Sequence, residues 1–397
     1  MPNFKIDAVV LWVDGRDPEW QKNRERYWQR FGQKYNVICP ESNADHRFVN
    51  CGELRYCLRG LYNFVPWLRH IFLVTNGQRP KWLKDHRKVK LVRHDQIMDP
   101  GDLPTFNSGA IEMNLHKIPG LSPAFLYLND DFFITRAAHP GRFFNEKGKG
   151  LYYSYSSLSI GHEPVEKLGS FSWIIHSDEQ CLNELFGRKV RPRPFHQCLV
   201  VYKAAYQYLE KHGHKYMRQT SRHRFRVDSR QDELSINVYA IAAIGLELGM
   251  YQFCPVDRSN AFLQQYHSSN SMRENWDRIR HAPPVFLCLN NLHTLEDKRK
   301  LDRIMRRLIP QKAPWEEGDV ERAKGKEKEE RAPCEEGGLE KDETKDEKAP
   351  SPVDNASPVD DASPVDNASP GGHASPPHHE RVCPSAVTIE RLNACSR

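Results

Sequence analysis

The run Phe125-Leu126-Tyr127-Leu128, closed by Asn129-Asp130-Asp131 and resumed at Phe132, narrows the folds open to this 397-residue chain. An apolar and aromatic run without polar alternation describes a strand covered on both faces, as in parallel sheets. Its polar groups gather at the C-terminal end, where open α/β sheets take their ligands. Adjacent carboxylates in such surroundings need a cation, an arginine or a shared proton. A plain polar turn has the same residue types, so the flanking segments must decide.

Those segments repeat the pattern. Ile6 to Val13 is a β-prone apolar run ending in Asp14-Gly15-Arg16-Asp17, and Asp17-Pro18 is an N-cap with a proline that predicts a helix to Phe31. A strand, a glycine turn and a helix start can hold phosphate, although a plain βα connection looks the same. Leu54, Leu58, Leu61 and Val65 fall at helical spacing before Pro66, with Glu53, Arg55 and Arg59 beside the stripe. Strands follow at Ile71 to Thr75, ending in Asn76-Gly77, and at Val89 to Val92. Asn107 or Ser108 is placed to cap a helix carrying Ile111, Leu115 and Ile118, with Glu112 next to its buried face. Alternating strands and helices define an α/β fold with a mostly parallel, Rossmann-like sheet.

The second half is less regular. A strand is expected over Leu151 to Ile160, a capping box at Ser177 and Gln180 for a helix ending at Gly187, and a long helix from Asp232 to Leu248. PPVFLCLNNLH, from Pro283, reads as one more strand ending at Asn290-Asn291, before a basic helix over Glu296 to Leu308. Between these lie RPRPFHQCLVVYK, with His196, and a basic stretch bearing Arg222, Arg224, Arg226 and Arg230. Guanidinium groups grip phosphate by two parallel hydrogen bonds, and a surface patch for RNA would use the same residues.

From residue 315 the composition changes to charge runs and then to a hexad repeat, SPVDNA-SPVDDA-SPVDNA, with no apolar face to bury. Two parts are therefore expected: a globular domain over 1–314 and a disordered tail over 315–397. Residues 316–397 carry 20 acidic and 11 basic side chains, so the net charge of +6 conceals about +15 on the preceding part. A basic domain calls for an anionic substrate, a nucleic acid or an acidic membrane surface. Ten cysteines without a CxxC pair or zinc spacing read as reduced thiols in a cytoplasmic setting. No signal sequence or membrane-length apolar run is present, so any membrane contact is expected to be peripheral.

Taken together, IDAVVLWVDGRDPEW, GELRYCLRG, PWLRHIFLVTNGQRPKWL and LPTFNSGAIEMNLHKIPGLSPAFLYLNDDFFI, in that order, resemble the Stealth family. These are capsular polysaccharide phosphotransferases related to the catalytic part of N-acetylglucosamine-1-phosphotransferase. The resemblance runs from Ile6 to about Leu308 and loosens through RPFHQ, RFRVD and FLCLNN. It implies transfer of a sugar 1-phosphate from a nucleotide-diphosphate sugar, expected to be a UDP-N-acetylhexosamine, to a hydroxyl of a saccharide acceptor. It further implies Asp131, Glu112, His196 and Arg226 at the reaction centre, and Asp14, Gly15, Arg55, Asn76 and Arg224 at the substrate. Mg2+ or Mn2+ is expected, with Asp131 as a ligand, and peripheral association with capsule machinery at the inner membrane. Asn50-Cys51 and Asn290-Asn291 depart from the family's Asp-Asn and Asn-Asp, each placing an amide where a carboxylate is usual. A glycosyltransferase that releases the nucleoside diphosphate is the alternative from a neighbouring chemistry. A nucleic-acid-binding protein is the alternative from another class; its basic stretch lacks a recognised module and interleaved aromatics beyond Phe225, so no nucleic acid is expected.

Overall fold

The computed structural model describes residues 4–32, 40–155, 159–160, 170–226, 234–256, 263–266, 269–290 and 292–316. At its centre is the expected α/β sheet. Strands β1 (Asp7–Leu11), β2 (Ile71–Thr75), β3 (Val89–Arg93) and β4 (Ala124–Asn129) run parallel, and β9 (Leu199–Tyr202) closes the edge antiparallel to β4. The order is β3-β2-β1-β4-β9. Chain order reverses between β1 and β4, which places the ligand crevice of such a sheet beyond the C-terminal ends of those two strands.

The two-sided burial read from the sequence follows from a period of two along each strand. Ala8 and Val10 of β1 and Leu126 and Leu128 of β4 face one core, while Val9, Leu11, Phe125 and Tyr127 face the other. Helix α2 (Glu53–Phe64), a second sheet and helices α8 (Ser269–Glu274), α9 (Trp276–His281) and α10 (Leu295–Leu308) cover the first face. That second sheet joins β5 (Phe132–Ile134), β12 (Phe286–Leu289) and β11 (Leu263–Tyr266). Helices α4 (Ser170–Phe186), α5 (Lys203–His212), α6 (His214–Arg222) and α7 (Val238–Glu247) build the other core with α3 (Ser108–Glu112). Helix α1 (Pro18–Phe31), capped by the Asp17 side chain as its sequence predicts, packs through Trp20 on an aromatic cluster of Phe48, Phe106 and Phe225.

Several local expectations give way to tertiary contacts. Helix α4 begins at Ser170, so Ser177 and Gln180 lie inside it rather than at a cap; the same spacing fits a helix interior when Ile175, Cys181 and Leu182 extend the apolar face. Helix α7 begins at Val238 because the Asn237 side chain caps Tyr239 N. Asp178 and Glu112 take the N–H groups of Asn237 and Val238 there. The helix expected through Ile118 stops at Glu112, and Asn114 bonds Ala110 O and Ser221 Oγ at the break. The strand over Leu151 to Ile160 is two strands. The first is β6 (Gly150–Tyr155), paired with β10 (Tyr251–Val256), and the second is β7 (Ser159–Ile160), paired with β8 (Arg191–Pro192). Next to the boundary expected after residue 314, Trp315 is fully buried and Glu316 pairs with Arg59 at 2.6 Å. The six described cysteines are all free thiols.

Candidate active site

Backbone register assembles the site at the end of β4. Strand β9 pairs antiparallel with β4, Leu199 opposite Tyr127, so the residues before Leu199 run outward past Asn129 and bring His196 to the β4 terminus. Strand β12 pairs with β5, Cys288 opposite Phe132, which sets Cys288 beside Asp131. Ligand atoms of Asp131, His196 and Cys288 consequently lie within 4.8 Å of one another. His196 is held from two sides, with its Nδ1 in a short hydrogen bond to the Tyr239 hydroxyl and its ring edge-on to Phe132 at 4.8 Å.

The cluster is rich in negative charge that water does not relieve. Burial raises the Asp131 pKa far above the carboxylate range, and the charges of Asp130 and Glu53 add to it. Asp130 and Glu53 are raised by burial as well. Asp131 Oδ1 is shielded from solvent without a hydrogen-bond partner. A buried carboxylate oxygen left unpaired among further carboxylates is an unmet demand for a cation. Burial, then the charge of Asp131, also raises Cys288, so its sulfur is a thiol. Carboxylate and imidazole fit Mn2+, and Mg2+ would be held through the carboxylate alone.

On the far side of Tyr127 the field reverses. Glu112 is buried; its Oε2 accepts Val238 N–H at 2.9 Å, and its Oε1 lies 2.9 Å from the Tyr127 hydroxyl, which is 2.7 Å from Asn129 Oδ1. One hydroxyl carries one proton. The Tyr127 hydroxyl donates it to Glu112 Oε1 or to Asn129 Oδ1, and burial raises the Glu112 pKa while the hydrogen bonds from Val238 N–H and Tyr127 oppose that rise. Arg226 stands nearby, bonded through Nη2 to Ser108 Oγ at 3.2 Å and through its backbone N–H to Asn43 Oδ1 at 3.0 Å. Burial, then the positive charge of Arg47, lowers its pKa to about 10. A half-buried guanidinium that feels the charge of an exposed one, Arg47, is suited to meet an anion.

The other candidates are placed as follows. Asp14 and Asn76 sit at the ends of β1 and β2, and Gln78 ties them together by bonding both the N–H and the C=O of Asp14. Gly15 is needed for close approach, because a Cβ there would meet Phe48 O at 2.3 Å. Arg55 turns towards Trp82, at 5.1 Å, and Glu316. Arg224 bonds Pro104 O and Gly101 O and covers Tyr27, while Arg222 is exposed, so these two do not share the pocket of Arg226. Arg230 and Asn291 lie outside the described residues. Asn50 caps its own turn at Gly52 N, and Asn290 accepts from Cys288. Glu53 stands beside the apolar stripe in the sequence, whereas Tyr127, Tyr239, Cys288 and Arg47 take their places near the site only in the structure. Cys288 had a signal in the FLCLNN motif, and Tyr239 had none beyond its place at the start of α7.

A mostly parallel sheet with a carboxyl cluster at its switch point defines a doubly wound α/β protein. The chain carries Stealth conserved region 1 over residues 4–29 and Stealth conserved region 2 over residues 47–151, and over these residues the expected resemblance to the Stealth family is borne out. It is 42% identical over 170 residues to a capsular polysaccharide phosphotransferase of Neisseria meningitidis serogroup B, covering 42% of this chain and 43% of that protein. An exopolysaccharide phosphotransferase of Streptomyces coelicolor is 38% identical over 231 residues, 56% of this chain and 37% of its own length. A capsular polysaccharide phosphotransferase of Aeromonas hydrophila is 39% identical over 158 residues, 40% of this chain and 43% of the relative. The chain thus spans less than half the length of these curated relatives. No helix among the described residues is long and apolar enough to cross a membrane.

Proposed function

We propose that the chain transfers a sugar 1-phosphate from a nucleotide-diphosphate sugar, a UDP-N-acetylhexosamine by preference, to a hydroxyl of a saccharide acceptor in capsule or exopolysaccharide assembly. The observation that carries this reading is the unpaired, shielded oxygen of Asp131 beside His196 at the switch point, in a chain whose relatives are named phosphotransferases. The acceptor oxygen bonds to the phosphorus nearer the sugar. The bond from that phosphorus to the bridging oxygen breaks, and the nucleoside monophosphate leaves with the electron pair.

Phosphoryl transfer asks mainly for positioning and for neutralised oxygens. Arg226, with Arg47 beside it, is suited to grip the phosphoryl oxygens, its own charge costing least when an anion is present. With Nδ1–H donated to Tyr239, His196 presents Nε2 to accept the acceptor's proton, and Asp131 is the alternative base. Glu112 acts through others: it fixes the start of α7 and, through Tyr127, the Asn129 amide. A divalent cation held by Asp131 would supply charge neutralisation for the donor pyrophosphate.

The nucleotide product tests the reading. Incubation with UDP-N-acetylglucosamine and a saccharide acceptor is expected to release UMP; release of UDP would make the chain a glycosyltransferase. Arg226→Lys keeps the charge but loses the planar fork, and is expected to lower turnover at least about tenfold. A silent Arg226→Lys would remove the guanidinium from the site.

A further inference from the structure

The crossover from β2 to β3 holds a charge excess that the proposed reaction leaves unused. Residues 76–93 contain seven Lys or Arg and a single acid, Asp85. That acid is taken by Arg79, 2.8 Å away. Arg93 pairs with Asp95, and Lys88 donates to Pro66 O. Among the described residues no carboxylate pairs with Arg87 or Lys90. The excess is felt locally, because the Arg87 charge adds to burial in lowering the pKa of both His86 and Lys88.

Arg79, Lys84, Arg87 and Lys90 line a concavity of about 470 Å3, with Leu83, Val89 and the 37% exposed Leu91 as its apolar part. Its wall is stiff. Lys84 N–H bonds Trp315 O at 2.7 Å, and the His86 ring lies 5.1 Å from the buried Trp315 ring. Arg79, at the end of the cavity, follows Gln78, which holds the backbone of Asp14 past the end of β1, while Val89 lies at the start of β3 opposite Ile71. The cavity thus lies along the outer edge strand of the sheet.

We propose that this cavity is an acceptor exosite that binds phosphodiester groups of the polymer already made, holding its chain while the terminal sugar reaches the reaction centre. Resting on the reading above, it identifies the acceptor as an anionic sugar-phosphate polymer. A fixed cationic rim over an apolar floor matches the alternation of phosphate and pyranose along such a chain. Arg87 and Lys90 supply the phosphate contacts, and Leu83 and Leu91 supply contact for sugar rings.

The test separates binding from chemistry. Affinity of the full chain for a hexameric hexosamine-1-phosphate oligomer is measured by fluorescence anisotropy, with dextran, inorganic phosphate and phosphatidylglycerol vesicles as comparison probes. The oligomer is expected to bind with a marked salt dependence, and Arg87→Glu/Lys90→Glu to weaken it at least about tenfold and flatten that dependence. Arg87→Gln/Lys90→Gln, which avoids new charge repulsion, should lie between. Turnover with a monosaccharide acceptor should be unchanged in both variants, while KM for the oligomer rises. Unaltered oligomer binding in both variants overturns the exosite whatever the turnover shows. Binding of vesicles in place of the oligomer overturns it in favour of a membrane surface, and inorganic phosphate matching the oligomer reduces it to simple anion binding. Release of UDP with intact oligomer binding would instead overturn the reaction and leave the exosite standing.

Discussion

Asp131 brings together the two properties that make a residue costly to the fold and useful to chemistry: a shielded oxygen without a partner and neighbouring negative charge. Asp131→Asn removes that charge at nearly constant shape. In metal-free buffer at neutral pH the variant is expected to melt no lower than the parent, while turnover falls by about a hundredfold or more. Turnover near that of the parent would take Asp131 out of the site. His94 shows the opposite sign of burial, away from the chemistry. Burial lowers its pKa to about 4, with the Asp95 charge in partial opposition. The folded state holds the ring neutral, so as pH falls below about 6.5 the unfolded chain takes up the proton first. Stability from this group is fully present above that pH and is lost progressively towards pH 4, by up to about 3 kcal/mol. His94→Gln should therefore flatten the dependence of unfolding free energy on pH across this window. Parallel curves for the two proteins would show that His94 is already solvated in the folded state.

Among elements, α2 is the most tightly constrained, since it approaches β5 backbone to backbone. A Cβ built on Gly60 would meet Ile134 O at 2.4 Å. Gly60→Ala would gain helix propensity in a free helix, but here it must push α2 away from β5 and with it the turn that carries Glu53. The expected cost is about 2 kcal/mol, read from denaturant unfolding, with a larger proportional loss in turnover than in stability. A Gly60→Ala variant as stable as the parent would show that the helix shifts freely. The elements readable in the sequence were those of the first half, because β1, β2 and β4 are apolar on both faces and each ends in a polar turn. The starts of α4 and α7 were not readable, since partners distant in sequence set them: Asp178 and Glu112 hold the first N–H groups of α7. For the same reason Asp131, His196 and Glu53 stood out in their motifs, whereas Tyr239 and Cys288 join the site through helix packing and strand register. Neither leaves a periodic trace.

For the whole molecule, closure depends on the last described turn. Arg59, on α2, and Glu316 are 257 residues apart in sequence and 2.6 Å apart in space, both side chains almost wholly shielded. Trp315 fills the core beside them, edge-on to Tyr62 at 5.2 Å. The pair ties the Trp315–Glu316 turn to the helix that also carries Glu53, and the same turn walls the basic cavity through Lys84 and His86. Glu316→Ala leaves a buried guanidinium unpaired and is expected to cost about 3–5 kcal/mol. A buried ion pair can itself be replaced by apolar groups at little cost, so Arg59→Met/Glu316→Leu should recover most of that loss. A truncation after Pro314 removes both Trp315 and Glu316 and should destabilise more than Glu316→Ala alone, because a cavity of indole size adds about 3–5 kcal/mol. Thermal melts of these three proteins decide the matter. If the truncated chain melts with the parent, Glu316 is a surface acid and α2 is held by its own core contacts. If the truncation unfolds and the double substitution recovers, the Trp315–Glu316 turn is part of the domain, and the wall of the basic cavity is as fixed as the exosite requires.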